Sequence, residues 1–527
     1  MDKGDEGYDE GYGDWEELVG AALLGTDRRP GGGPAGSPES LLDAAAVHAV
    51  RRRAGLRPAQ AGPAPEPAAR DPRPVPPPAA RQRLSQLLAG RAGASSGGRR
   101  GSSPDLTELL PQWLAAAGRH GYRAPASLVP ALLDAARART DLRPQALALA
   151  GVRGLWLARL NPDWRFALRG GAGELPDVTD GAGVERLWQE GLFAERVALL
   201  GAIRAHDAAA ATRLLATTWS TERAEDRLMF LDSLRVALSD GDEPFLEAAL
   251  GDRSRNVRAT AAELLSALPR SALAGRMAER ALACVGPDGV VPPAECDAGM
   301  LRDGVVKRPP AGRGERAWWL GQLVEAAPLD CWRERFGGLG PAEIVALPVA
   351  AGEGWAEELH AAWCRAAVRQ RDAQWSRALL GPPSAPPAAG PATASLAERA
   401  KLLETLPEQE RAQWVAEFVR AHGLSEAFQL LGVCVVPWAG ALGRAVVDAL
   451  ESAREAGSYP WSFSGVMGLA ERCLDPAEAG RLEVLTASVE DPPEASPGAA
   501  AYWAEAFQRL VATLRLREAM LTELIPS

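Results

Sequence analysis

Lysine is almost missing from this 527-residue chain: Lys3, Lys307 and Lys401 are three among 58 basic residues. Alanine, glycine and proline are abundant, so the bias reads as the imprint of a GC-rich coding sequence. Arginine counts are therefore discounted as evidence of phosphate binding. Histidine is also scarce, with His48, His120, His206, His360 and His422 only. The six cysteines (Cys284, Cys296, Cys331, Cys364, Cys434 and Cys473) are scattered without a C-x-x-C pair. That fits a reducing compartment better than a disulfide framework. No apolar run approaches the roughly 18 residues that span a membrane. The opening MDKGDEGYDEGYGDW is acidic and glycine-rich, opposite in character to a secretion signal. A soluble cytoplasmic protein is the expectation.

Catalytic signatures are missing too. There is no G-x-x-x-x-G-K-[ST] phosphate loop, no G-x-G-x-x-G after a strand and no G-x-S-x-G elbow. His360 and Cys364 stand i, i+4 on the helical phrase AEELHAAWCRAAV, a spacing that lets two side chains meet one metal. No third ligand is suggested nearby, so a core histidine and a core cysteine are the preferred reading. The sequence assigns no catalytic residue, cofactor or metal.

What is present is a period. Arg196, Arg227 and Arg258 follow one another at a constant 31 residues (227 − 196 = 258 − 227). Three and four places on come Leu199-Leu200, Phe230-Leu231 and Ala261-Ala262. Seven places on come Ile203, Leu234 and Leu265. Eighteen and nineteen on, the first two copies give Leu214-Leu215 and Phe245-Leu246, while the third gives Arg276-Met277 and weakens the match. A period in this range marks a helical pair that buries its apolar face by stacking on neighbours. The expected fold is all-α, a HEAT-like α-solenoid with Pro/Gly-rich linkers.

The chain divides as follows. Residues 1–13 read as a disordered acidic tail, and 14–56 as N-terminal helices starting at Asp14. Residues 57–104 read mostly as a Pro/Arg/Gly-rich linker, with a short helix near 81–88. Helices fill 105–284, with the three copies in 184–283. An irregular loop covers 285–314, helices 315–380, a second linker 381–393, and helices again 394–527, where Arg399 restarts the same R-x-x-L-L-x-x-L phrase. VCVVPW (433–438) is the one tempting strand, and Pro437 argues against a central one.

Net charge is −10, and the stretch 48–104 alone carries eleven arginines against Glu66 and Asp71, or +9. The remainder therefore carries −19, which disfavours nucleic acid as the main partner. A 30-residue irregular connection is uncommon in a compact domain and is often functional. At its end stand Trp318 and Trp319, adjacent, so that both cannot face the same way on a helix. With Arg302, Asp303, Lys307 and Arg308 they form the candidate partner-binding patch. Two tryptophans wedged between helices is the competing reading.

The phrases WEELVGAALLGTDR (15–28), GVRGLWLARLNPDW (151–164), MLRDGV…GERAWWLGQL (300–323) and PLDCW (328–332) resemble an uncharacterised bacterial family of similar length, a domain of unknown function. Its members tend to be encoded beside MoxR-type AAA ATPases, von Willebrand A-domain proteins and SWIM zinc-finger proteins. The resemblance implies an accessory or adaptor role for such an ATPase system, and it carries no catalytic residues. Three functions remain open. The first is a non-catalytic protein-binding scaffold. The second is a HEAT-like nucleic-acid-binding protein or DNA glycosylase-like enzyme. The third is some other enzyme with its site at 285–320. The scaffold is preferred. The identity of the partner and the oligomeric state are not readable.

Overall fold

The computed structural model describes residues 15–24, 38–54, 65–93, 105–170, 178–347, 355–385, 394–487 and 498–526. The expected acidic tail and most of the second linker lie outside them. The fold is all-α, with 27 α-helices among the described residues and one two-stranded hairpin. The chain splits into residues 1–68 and 69–527. The first unit contains α1 (Trp15–Leu24) packed on α2 (Pro38–Ala54), with Leu18 buried.

In the second unit the short helix expected near 81–88 is α3, longer than expected at Pro78–Gly93, with Ala80, Leu84 and Leu87 fully buried. Around it gather α4 (Leu106–Arg119), α5 (Val129–Ala138), α6 (Arg143–Leu160) and α7 (Phe166–Gly170), sharing one core about Trp113. The extended stretch before α3 is docked as well. Arg123 donates to the carbonyls of Pro74 and Arg73, from its backbone N–H at 2.9 Å and its Nε at 2.7 Å. Arg73 is held by Asp71 at 2.7 Å and donates to the carbonyl of Ala148 at 2.7 Å. It lies beside Gly151, which interrupts α6 at φ +55. A Cβ there would come within 2.2 Å of the Arg73 guanidinium, so the glycine provides both the backbone conformation and the space.

The 31-residue period lands on helix starts. After α8 (Gly181–Glu190) come α9 (Phe193–His206), α11 (Ala224–Ser233) and α13 (Arg255–Ser266), each beginning three residues before its arginine. Their second helices are α10 (Ala208–Thr218), α12 (Glu243–Ala249) and α14 (Ala272–Cys284). All nine apolar positions at three, four and seven places after the arginines are buried. Caps start several of these helices: Asp207 accepts from Ala210 N–H at 2.9 Å, and Ser271 from Ala274 N–H at 3.1 Å.

Arg196 lies over the Trp188 ring at 4.5 Å and pairs with Glu222. One period on, Arg227 lies over Trp219 at 5.7 Å and pairs with Asp252 at 2.9 Å. Each arginine thus joins its own pair of helices to the turn opening the next. Arg258 instead donates to the carbonyls of Asp252 and Arg253.

Between the first two pairs lies a fully buried ion pair, Arg204–Asp242, at 3.0 Å. Arg204 also donates to the carbonyls of Leu234, Val236 and Ala237 and to the Thr212 hydroxyl. Asp242 accepts further from Thr212 at 2.6 Å and from Ser239 N–H at 3.1 Å. Burial opposes its ionisation, but the bonds from Arg204 and Thr212 outweigh that and hold its carboxyl below the ordinary range.

Beyond α14 the expected irregular loop holds structure. Val285–Gly286 (β1) pairs with Gly289–Val290 (β2), and α15 (Ala298–Arg302) follows. Then come α16 (Glu315–Ala326), α17 (Asp330–Arg335), α18 (Pro341–Ala346), α19 (Trp355–Gln370), α20 (Ala373–Leu380), α21 (Leu396–Glu404), α22 (Glu408–His422), α23 (Leu424–Leu431), α24 (Gly440–Glu455), α25 (Ser464–Cys473) and α26 (Ala479–Val484). Residues 433–438 form no strand, only a single bridge from Trp438 to Leu474. Neighbour packs on neighbour through α16, α19, α21, α23 and α25. One continuous core runs from Trp188 to Leu514.

The last helix, α27 (Ala499–Glu523), serves two cores. Trp503, Phe507 and Leu510 belong to the long one, while Met520 and Leu524 just beyond complete the core of α3–α7. Tyr122 donates to the Leu524 carbonyl at 2.9 Å, Arg83 pairs with Glu523 at 2.7 Å, and Arg517 donates to Gln112 at 2.9 Å.

Two substitutions test these features. Asp242→Asn keeps the shape but leaves Arg204 without its counter-charge, and it lowers unfolding stability by about 3–5 kcal/mol. A denaturant midpoint unchanged from the parent would refute that. Leu524→Ala removes a fully buried side chain and costs about 2–5 kcal/mol. Amide hydrogen exchange should speed up in α3–α5 and stay unchanged in α9–α13; equal acceleration in both would show that α27 does not hold the two cores separately.

Candidate functional site

Where the third copy departs from its predecessors, the cause is visible. Arg276 replaces the apolar Leu214 and Phe245, and its guanidinium reaches forward to Asp303 at 2.8 Å and sideways to Glu247 at 3.1 Å. Arg280, one turn further along α14, also grips Asp303, at 2.7 Å. Asp303 is 1% exposed. Burial opposes its charge, but hydrogen bonds from Arg276 and Arg280 prevail and hold its carboxyl below the ordinary range. The next residue, Gly304, has φ +92, and a Cβ would meet that of Ala262 on α13 at 2.4 Å. The loop is pinned against α13 and α14 at this point.

The two tryptophans pin it from the other side. The indole N–H of Trp318 donates to the Val306 carbonyl at 2.7 Å, and that of Trp319 to the Lys307 carbonyl at 2.8 Å. Gln322 accepts from Val306 N–H at 2.8 Å. The adjacency that suggested two different faces is resolved by the loop crossing over both rings. Trp319 is buried, and Trp318 is half-buried beneath Arg313, whose guanidinium stands 5.3 Å from its ring and pairs with Glu358. The six expected residues therefore separate. Asp303 and Trp319 are internal fasteners, a correction to their expected place on a partner-facing patch. Arg302, Lys307 and Arg308 are exposed, with Arg302 3.7 Å from Glu247.

Behind this loop opens a cleft of about 800 Å³. Its floor is apolar, from Leu264 of α13, Leu268 just beyond that helix and Val368 of α19. Its walls are charged. Arg365 and Arg369, one turn apart on α19, both pair with Glu325 of α16. Arg369 also donates to the Ser266 hydroxyl at the end of α13, at 3.0 Å, across 103 residues of sequence. Arg235 forms a two-bond fork to Glu263 at 3.0 and 3.1 Å. Arg371 and Lys401 complete the lining with Glu398. A smaller cavity of about 130 Å³, lined by Asp303, Gly304 and Gln322, shares Glu263, Glu325 and Arg369 with the cleft. Loop and cleft are thus two sides of one structure.

His360 and Cys364 meet each other rather than a third ligand, with Cys364 Sγ 3.7 Å from His360 Nδ1. Burial pushes the thiol up to about 12 and the imidazole down. The resting pair is neutral, without the thiolate–imidazolium character of a nucleophilic cysteine. Among the described residues, no group of three or more His, Cys, Asp or Glu is placed to hold a metal ion. No helix there is long and apolar enough to cross a membrane.

The sequence reading missed the cleft. Its walls come from α13, α16, α19 and α21, its ion pairs join residues 28 to 44 positions apart, and the Arg369–Ser266 hydrogen bond spans 103. The only local sign was the i, i+4 pair Arg365 and Arg369, which on a single helix reads as a solvated face.

Compared with known proteins, the chain matches the model of a family of unknown function (DUF5691) over residues 17–524. No curated protein and no solved structure matches it.

His360 yields a pH prediction. Burial holds its folded pKa below that of a free imidazole, so the unfolded chain takes up the proton first. This contribution is complete above about pH 6.5 and declines as pH falls below it. Glu398, the other charge acting on the ring, opposes the shift without cancelling it. The melting temperature should fall between pH 7.5 and pH 5.5, and less steeply in His360→Gln. Parallel curves for the two proteins would rule His360 out as the source.

Proposed function

The chain belongs to the DUF5691 family, and we propose that it is a non-catalytic protein-binding scaffold. In this reading the helical pairs form a HEAT-like α-solenoid, an architecture that offers an extended concave surface to a folded partner or a peptide. The observation that carries it is the cleft together with its loop. Both are framed by side chains fastened to the fold, Asp303 and Trp319 in the loop and Arg365, Arg369 and Glu325 in the cleft, so the surface is pre-organised for contact and binding costs little ordering. The exposed cations Arg302, Lys307 and Arg308, beside half-buried Trp318, supply the polar rim and aromatic anchor of an interaction patch. The family resemblance given above sharpens the partner to a MoxR-type AAA ATPase acting with a von Willebrand A-domain protein. The setting would be cytoplasmic.

Affinity capture of the tagged chain from its native host, with a non-hydrolysable nucleotide present, tests this. Recovery of an AAA ATPase is expected. The triple variant Arg302→Glu, Lys307→Glu and Arg308→Glu should weaken capture by about tenfold, because rim charges govern encounter and register. Capture unchanged by the triple variant would move the contact elsewhere. Absence of any AAA ATPase under nucleotide-trapping conditions would overturn the adaptor role.

A further inference from the structure

The cleft has an unbalanced charge. Five cations line it (Arg235, Arg365, Arg369, Arg371 and Lys401) against three carboxylates. Each carboxylate is already engaged. Glu263 takes the fork from Arg235. Glu398 accepts from the backbone N–H and hydroxyl of Ser395, closing the cap of α21. Glu325 is shared by two guanidiniums, those of Arg365 and Arg369, so one positive charge there has no counterpart. Arg371 and Lys401 are exposed and form no ion pair among the described residues. Arg371 is also held at φ +52, a conformation that non-glycine residues seldom adopt. The surplus of cations is notable in a chain whose net charge is −10.

We propose that this cleft binds an acidic segment of a partner polypeptide, with aspartate or glutamate side chains on the cationic lip and an aliphatic side chain on the apolar floor. Charge complementarity names the occupant: five lining cations face three carboxylates, and Leu264, Leu268 and Val368 lie among them. The volume of about 800 Å³ suits a short stretch of peptide. The three engaged carboxylates repel a phosphate backbone and favour a segment whose charges are spaced by neutral residues. This inference rests on the scaffold reading and specifies the chemistry of what the scaffold holds.

Fluorescence anisotropy with the full chain provides the test. The probe is a labelled twelve-residue peptide alternating Asp or Glu with Leu, and its control carries Asn and Gln at the acidic places. The acidic peptide should bind at least about tenfold tighter than the control, and more weakly as salt rises from 50 to 300 mM. The double variant Arg371→Glu and Lys401→Glu should lose at least about tenfold with an unchanged melting temperature, since neither side chain fastens the fold. Arg371→Lys should retain binding. Equal affinity for the two peptides, an unaffected double variant, or full displacement by a short DNA duplex at matched charge would each overturn the proposal. Failure here with ATPase capture intact rejects the acidic segment and leaves the scaffold. Peptide binding with no captured ATPase does the reverse.

Discussion

Among the described residues, no helix between 181 and 484 exceeds 16 residues, and several have five to eight. Isolated helices of that length are marginal in water, because the nucleation cost is recovered only over many turns. Each must therefore be stabilised by what it packs against. The continuous core from Trp188 to Leu514 is the physical expression of that dependence. Polar groups drawn into it are acceptable only when fully partnered. Arg204 meets the condition with Asp242, Thr212 and three carbonyls, and so fixes α9 to α12 as one block. Arg196 and Arg227 fasten consecutive pairs by the same chemistry, adding an aromatic face each.

The same economy of fasteners shapes the proposed binding face. Asp303 is the hinge of the arrangement: two guanidiniums from α14 hold it, and through it the loop that covers Trp318 and Trp319. Glu325 does the corresponding task for the cleft, holding two turns of α19 against α16. Side chains committed in this way shape a surface, and their uncommitted neighbours give it a sign. That division separates Asp303 and Trp319 from Arg302, Lys307 and Arg308, and Arg365 and Arg369 from Arg371 and Lys401.

Periodicity carried much of the fold into the sequence. Three arginines and nine apolar positions located the starts and buried faces of α9, α11 and α13, because one geometry repeated three times leaves one pattern repeated three times. A local stop leaves a different mark: α6 ends at Leu160, directly before Asn161-Pro162. Composition misled where packing is non-local. Residues 78–93 sit among prolines and arginines, so only a short helix near 81–88 was legible, yet α3 runs from Pro78 to Gly93 and packs on α4, α5 and the distant α27. The hairpin at 285–290 was missed because two residues per strand leave no alternation to read. The candidate patch was half legible: the sequence marked the loop and its tryptophans, but whether a charge faces inward depends on Arg276 and Arg280, which lie more than twenty residues away.

The position of α27 imposes an order on assembly. The α3–α7 core emerges from the ribosome more than three hundred residues before Met520 and Leu524, the side chains that complete it. Until then the groove they fill is open, and Tyr122 has no Leu524 carbonyl to bond. Domains usually fold from the N-terminus as they are made. Here the earliest core is the last to be finished, so a nascent chain carries an unfilled apolar groove through most of its synthesis.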